Sequence, residues 1–173
     1  MARIEIQEEI AAPANEVAAF FVPQRMPYWY GVEIRAQFEI SDGCADFRAG
    51  QKVRISGQVG SREVSLTAVI TRFEFRHALE WRFQDSAGVR GVQSWELFAV
   101  RETPELRGGD LAADTDTRTT DGHCAASTRV VMRDEYEMPG RLGRLLDRVF
   151  TCHAVARRDR DALARLSRLS SRR

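Results

Sequence analysis

The sequence predicts an α+β domain in which a curved antiparallel sheet of about seven strands grips a long C-terminal helix. Three observations carry that prediction. Separate segments between residues 32 and 100, and again from 125 to 136, alternate apolar and polar side chains, the period-2 pattern of half-exposed strands. Residues 139–169 repeat their apolar side chains at helical spacing instead. Six of the strand segments follow one another with no helix between them, so neighbours pair antiparallel through short turns.

The first segment, Ile4-Glu5-Ile6-Gln7-Glu8-Glu9-Ile10, alternates and reads as a strand with one buried face. Pro13 suits the first turn of a short helix, where its missing N–H costs nothing, and Val17, Phe20 and Phe21 form that helix's apolar stripe. Pro23 and Pro27 close it, and the aromatic run Tyr28-Trp29-Tyr30 leads toward the sheet, with room for a second short helix. Val32, Ile34, Ala36, Phe38 and Ile40 then predict a strand over 32–40. Val53, Ile55, Gly57 and Val59 predict the next, and Gly60-Ser61 is the tight turn into a β-prone run over 62–75. Leu79, Trp81 and Phe83 make a further strand. Ala87-Gly88 separates it from residues 89–100, which carry Trp95, Leu97 and Phe98. The last strand sets Thr128, Val130, Met132 and Tyr136 against Arg129, Arg133 and Glu135.

Between the final two strands, residues 102–123 contain Pro104, Gly108-Gly109 and almost no large apolar side chain, so a polar surface loop is expected. Met138-Pro139-Gly140 ends the sheet, and one long helix is expected over 139–169. Leu142, Leu145, Leu146, Val149, His153 and Ala156 share its stripe, continued by Leu163 and Leu166. Such a helix spans about 45 Å, enough to cross a sheet. Residues 1–173 are read as one domain without repeats.

Composition narrows the function classes. The chain is 43% hydrophobic and 29% charged, the balance of an ordinary soluble globular protein. No stretch approaches the run of about 18 apolar residues a membrane span needs, and the charged, alternating N-terminus is neither signal peptide nor anchor. Cys44, Cys124 and Cys152 are widely spaced and odd in number, which argues against a disulfide framework or a paired-ligand zinc site and makes a reducing cytoplasm the default. Residues 139–173 hold ten arginines against three aspartates, a balance of +7 that leaves −6 on the rest of a +1 chain. The plain reading is a solvated helix face, because Lys52 is the only lysine and arginine is used throughout. The same charge admits docking on an anionic membrane surface, whereas nucleic acid is not expected.

Consecutive antiparallel strands twist and curl, and the long helix buries its stripe on the concave side. A helix laid across a curved sheet leaves part of the concavity unfilled, so a cavity is expected there. Trp29, Trp81, Phe83, Trp95, Val130 and Met132 from the sheet side, with Leu145, Leu146 and Val149 from the helix, are its expected lining. A tryptophan in such a position is core first and a ligand platform second.

At this point the chain resembles the Bet v 1/START-like (SRPBCC) superfamily, and within it the polyketide cyclase/dehydrase-like branch. The resemblance is carried by Ile10-Ala11-Ala12-Pro13 with Val17, Pro27-Tyr28-Trp29, Ala49-Gly50-Gln51-Lys52-Val53, Phe73 to Trp81, Ser127-Thr128-Arg129-Val130, and Pro139-Gly140-Arg141-Leu142-Gly143-Arg144-Leu145-Leu146, in that order. Phe75-Arg76 stands where that family commonly has proline, and the insertion at 102–123 departs from its compact form. The resemblance implies the helix-grip fold. It implies a function among the binding or transport of lipids, quinones and hormones, chaperone-like partnership, or cyclase and aromatase chemistry on polyketides.

The search for chemistry returns little. There is no His-Glu-x-x-His, Cys-x-x-Cys, phosphate-cradling glycine loop or nucleophile elbow, and His77, His123 and His153 are too scattered to suggest a metal. No cofactor is expected. Asp134 shares strand parity with Val130, Met132 and Tyr136, so it points inward unless a bulge near the strand end turns it out. Buried, its carboxyl would be suited to acid–base work. Tyr136 would offer a hydroxyl to a ligand oxygen or simply pack beneath the helix. His153 lies on the helical stripe, where a histidine is more often structural than catalytic. Glu96 and Arg129 rank below these.

Three readings follow: a protein that binds or transports a small hydrophobic molecule, which is favoured; a polyketide cyclase or dehydratase using Asp134, Tyr136 and His153; and an interaction module docking through Arg157, Arg158 and Arg160. A homodimer is left open.

Overall fold

The computed structural model describes residues 1–41, 43–44, 46–100, 127–140 and 151–171. Seven strands form one antiparallel sheet: β1 (Ala2–Ile10), β2 (Gln37–Ile40), β3 (Lys52–Val59), β4 (Arg62–Glu74), β5 (Ala78–Asp85), β6 (Arg90–Val100) and β7 (Ser127–Glu137). Their spatial order is β1-β7-β6-β5-β4-β3-β2. Strands β2 to β7 therefore neighbour each other in chain order, and β1 closes the far edge against β7. A short helix α1 (Ala14–Ala18) and two 3-10 turns, Met26–Tyr28 and Val32–Ile34, link β1 to β2. The helix α2 (Cys152–Ser170) packs chiefly on β1. Among the described residues no helix is long and apolar enough to cross a membrane. The loop expected at 102–123 and the stripe residues Leu142, Leu145, Leu146 and Val149 lie outside the described residues.

Alternation sorts the sheet into two faces. Register aligns Ile70, Trp81, Gln93, Asp134 and Ile4 in one concave row, with Leu79, Trp95, Met132 and Ile6 in the next. A bulge between Ile70 and Arg72 resets β4, so Phe73 joins the concave set. Gly91 lets Phe83 close on β6, since a Cβ there would meet Phe83 at 2.8 Å and the Glu135 carbonyl at 2.3 Å. Trp29 and Trp81 are each buried in edge-to-face contact with Trp95, with Trp81 and Trp95 4.7 Å apart between centroids.

Two expectations are corrected. The strand over 32–40 is only Gln37–Ile40, because Gly31 (φ 72°) and Arg35 (φ 52°) both take the left-handed conformation and fold Val32–Ile34 into a 3-10 turn. The Ala36 amide then bonds back to the Gly31 carbonyl at 3.0 Å, a local loop that period-2 apolarity does not reveal. His153 is exposed rather than on the buried stripe. That stripe is Asp159, Ala162, Leu163, Leu166 and Ser170, and at 100° per residue His153 lies roughly 120° round from its centre.

Candidate functional site

Among the described residues, the buried charged side chains of the concave side gather at one place. Gln93 on β6 and Asp134 on β7 are direct cross-strand partners pointing inward, 1% and 3% exposed. Even strand parity with Val130, Met132 and Tyr136 turns Asp134 inward, and no bulge interrupts β7. From the opposite side, the 3-10 segment after α1 delivers Tyr30, whose phenol donates to Gln93 Oε1 at 2.6 Å. The Gln93 amide in turn donates to Asp134 Oδ2 at 3.3 Å.

The helix completes the cluster. Arg158 Nη2 donates to Asp134 Oδ2 at 3.1 Å and to Asp159 Oδ1 at 2.7 Å, while its Nε donates to Asp159 Oδ1 at 2.9 Å. Its guanidinium lies 5.8 Å from the Tyr30 ring centroid, a cation–π contact. Asp159 is 1% exposed, whereas the Arg158 side chain keeps 38% of its surface accessible along its flank. Two buried carboxylates thus share one guanidinium, and each retains an orphan oxygen, Asp134 Oδ1 and Asp159 Oδ2. The buried Trp95 indole N–H, in the neighbouring concave row, also lacks an acceptor.

Electrostatics follow from this geometry. Burial pushes the Asp134 carboxyl up to about 7, with Arg158 pulling it partly back and the Asp159 charge adding to the rise. Burial likewise raises Asp159 against the pull of Arg158, and lifts the Tyr30 phenol well above the ordinary range. Low dielectric makes such a cluster consequential, because each unmet hydrogen bond is felt in full.

The expected site residues fall into three groups. Asp134 enters the cluster. Tyr136 is buried one row away, in register with Gly91 and Ala2. His153 stands outside it, exposed, with its Nδ1 3.3 Å from Cys152 Sγ. Of the expected lining, Trp29, Trp81, Trp95, Val130 and Met132 keep at most 1% of their surface and are packed core, since a residue facing an open space would keep contact with a water-sized sphere. Phe83 is half-buried and shares the concave face with half-buried Phe38 and Leu66, so apolar surface stays accessible at that end of the sheet. Tyr30 reaches this end as well, 6.4 Å from Phe38 between ring centroids. Glu96 and Arg129 lie on the convex face, Glu96 paired with Arg133 and Arg72, Arg129 over Phe98 at 5.3 Å.

Sequence reasoning missed Tyr30, Gln93 and Asp159, and offered Arg158 only as part of a basic docking face, whereas it pairs with Asp134 and Asp159. Gln93 shares parity with Trp95 and Leu97, and Asp159 precedes Ala162, Leu163 and Leu166 by three, four and seven residues, so both signals were present. Arg158 sits in the run Arg157-Arg158-Asp159-Arg160-Asp161 and carries no such mark.

No protein-family model matches the chain, and no curated protein does. Solved structures do match. DynU16, a protein of the dynemicin biosynthetic locus, is 19% identical with a TM-score of 0.57, over 96% of this chain and 46% of that one. The chain thus spans under half of DynU16. DR_A0006 from Deinococcus radiodurans is 18% identical with a TM-score of 0.56, over 96% of this chain and 95% of that one. Ginseng major latex-like protein 151 from Panax ginseng is 9% identical with a TM-score of 0.62, over 98% and 97%. Across nearly its whole length the chain therefore has the helix-grip fold of the Bet v 1/START-like (SRPBCC) proteins.

Proposed function

We propose that this protein binds a small, largely apolar molecule between its sheet and its C-terminal helix. The observation that carries the reading is the partly accessible apolar patch of Phe38, Leu66 and Phe83 on the same concave face as a buried polar cluster. Apolar walls with a few convergent polar groups are the usual make-up of a ligand site, the walls supplying affinity and the polar groups orientation. Trp81 lies 6.3 Å from Phe38, so a molecule on this patch would alter tryptophan emission. Fatty acids, quinones and aromatic polyketides are titrated against the purified protein by tryptophan fluorescence, with native mass spectrometry for copurifying molecules. Saturable binding that Phe83→Arg abolishes is expected; an unliganded mass and no response to any of the three classes would overturn the reading.

A second reading, an acid–base reaction such as dehydration of the bound molecule, is favoured by one observation. The Asp134 carboxyl is pushed to about 7, where an acid or base is most effective near neutral pH. Mass spectrometry of each ligand after incubation tests it: loss of water that disappears with Asp134→Asn supports it, and recovery of every ligand unchanged sinks it.

A further inference from the structure

The cluster at the polar end of the concave face has an unequal supply of donors and acceptors. Arg158 is the one cation, and its Nε and Nη2 donors are already given to Asp159 Oδ1 and Asp134 Oδ2. Gln93 spends its amide on Asp134 Oδ2 and its carbonyl on the Tyr30 phenol. Among the cluster's acceptors Asp134 Oδ1 remains, buried and facing no donor, on a side chain 3% exposed. Asp159 Oδ2 is in the same position. One row away from Asp134 the buried Trp95 indole N–H is an orphaned donor. A buried acceptor without a donor carries a desolvation cost that a donor would remove. An anionic head group finds the reverse: two carboxylates against one guanidinium whose Nε and Nη2 they already occupy.

We propose that Asp134 Oδ1 is the polar anchor of the ligand site, and that it takes a neutral hydroxyl or phenol of an otherwise apolar molecule in preference to a carboxylate. The proposal rests on the binding reading above and adds the chemical class of the ligand. Tyr30 and Arg158 act as positioning residues. Tyr30 holds Gln93, and Gln93 and Arg158 together fix Oδ2, which aims Oδ1. The Arg158 side chain keeps 38% of its surface accessible, and Tyr30 links the cluster to the part-exposed Phe38, 6.4 Å away between ring centroids.

The test holds the carbon skeleton constant and changes only the head group. 1-Dodecanol, its methyl ether and dodecanoate, and separately 2-naphthol, 2-methoxynaphthalene and 2-naphthoate, are titrated against the full chain at pH 8 by tryptophan fluorescence. The hydroxyl compound is expected to bind about tenfold or more tightly than its ether, the worth of one hydrogen bond to a charged acceptor, with the carboxylate weakest. Asp134→Asn brings hydroxyl and ether to within about twofold of one another, while His153→Ala, exposed on the other side of α2, keeps the preference. Equal binding of hydroxyl and ether, or tightest binding of the carboxylate, by the unsubstituted protein overturns the anchor and leaves the binding reading standing. No response from any member of either series counts against both, and the copurified-ligand measurement then separates them. Because the comparison among ligands needs no variant, it stands even where Asp134→Asn does not fold.

Discussion

The two faces of one sheet use the same charged residues to opposite ends. On the convex face Arg133 bridges Glu5 at 2.9 Å and pairs with Glu96, Arg72 reaches Glu96 at 3.6 Å and Glu74 at 2.8 Å, and Arg90 meets Glu137 at 3.0 Å. Each side chain in these pairs keeps between 28% and 72% of its surface in water, against 4% for Asp134 and 1% for Asp159, so solvent screens them and each contributes about 0–1 kcal/mol. Where α2 meets the concave face, Asp134 of β7 and Arg158 and Asp159 of the helix are held together, and the balance of desolvation against attraction becomes large in both directions. One step along β7, from Arg133 to Asp134, separates the two regimes. Position relative to the pleat, not residue type, decides what a charge does.

The largest effect is expected from breaking the concave cluster at its cation. Arg158→Met leaves two buried carboxylates without their cation and should destabilise the protein by about 3–5 kcal/mol in urea unfolding at pH 8. The loss should be smaller at pH 5, below the value of about 7 to which burial pushes Asp134, because that carboxyl then takes up its proton. Equal losses at the two values would mean that the carboxylates are not the source of the penalty.

The unsubstituted protein should itself respond to pH. The folded Asp134 carboxyl titrates near 7 and its unfolded counterpart near 3.8, so the folded state binds the proton more tightly. Its contribution is full below the unfolded value and is lost as pH rises through 7, and Asp159, also raised, works in the same direction. Stability should fall on the order of 3 kcal/mol between pH 4 and 8, with Asp134→Asn removing most of the slope. A flat profile in the unsubstituted chain is the contrary result.

The smallest effect belongs to the convex face. Arg133→Ala severs the pairs with both Glu5 and Glu96, yet should cost under about 1 kcal/mol and fade further in high salt. A cost matching that of Arg158→Met would erase the contrast between the faces.

Much of this was legible in the residues. The alternation of Leu79, Trp81 and Phe83, and of Val130, Met132, Asp134 and Tyr136, assigns each side chain a face once its strand is recognised. The Gly60-Ser61 turn joins β3 to β4, its Gly60 taking φ 62°. Residues 32–36 were misread because their apolar spacing suits a strand, while the left-handed backbone at Gly31 and Arg35 depends on the close approach of Gly31 to Ala36 and of Gly57 to Ile34. His153 was misplaced because a stripe counted from Leu142 runs out of phase with the one centred on Asp159 and Leu163.

By itself, then, the sequence determined the run of consecutive strands and the parity that Asp134 shares with Val130, Met132 and Tyr136, since these rest on local periodicity and on short connections between neighbours. That no bulge turns Asp134 outward was decided by the regular pairing of β7. Only the tertiary structure decided that Tyr30, Gln93, Arg158 and Asp159 meet Asp134. The contacts Tyr30–Gln93, Gln93–Asp134 and Asp134–Arg158 cross 63, 41 and 24 residues of chain. Periodicity carries no information over such separations. It is the curl of the sheet and the seating of the helix that bring those charges together and remove them from water.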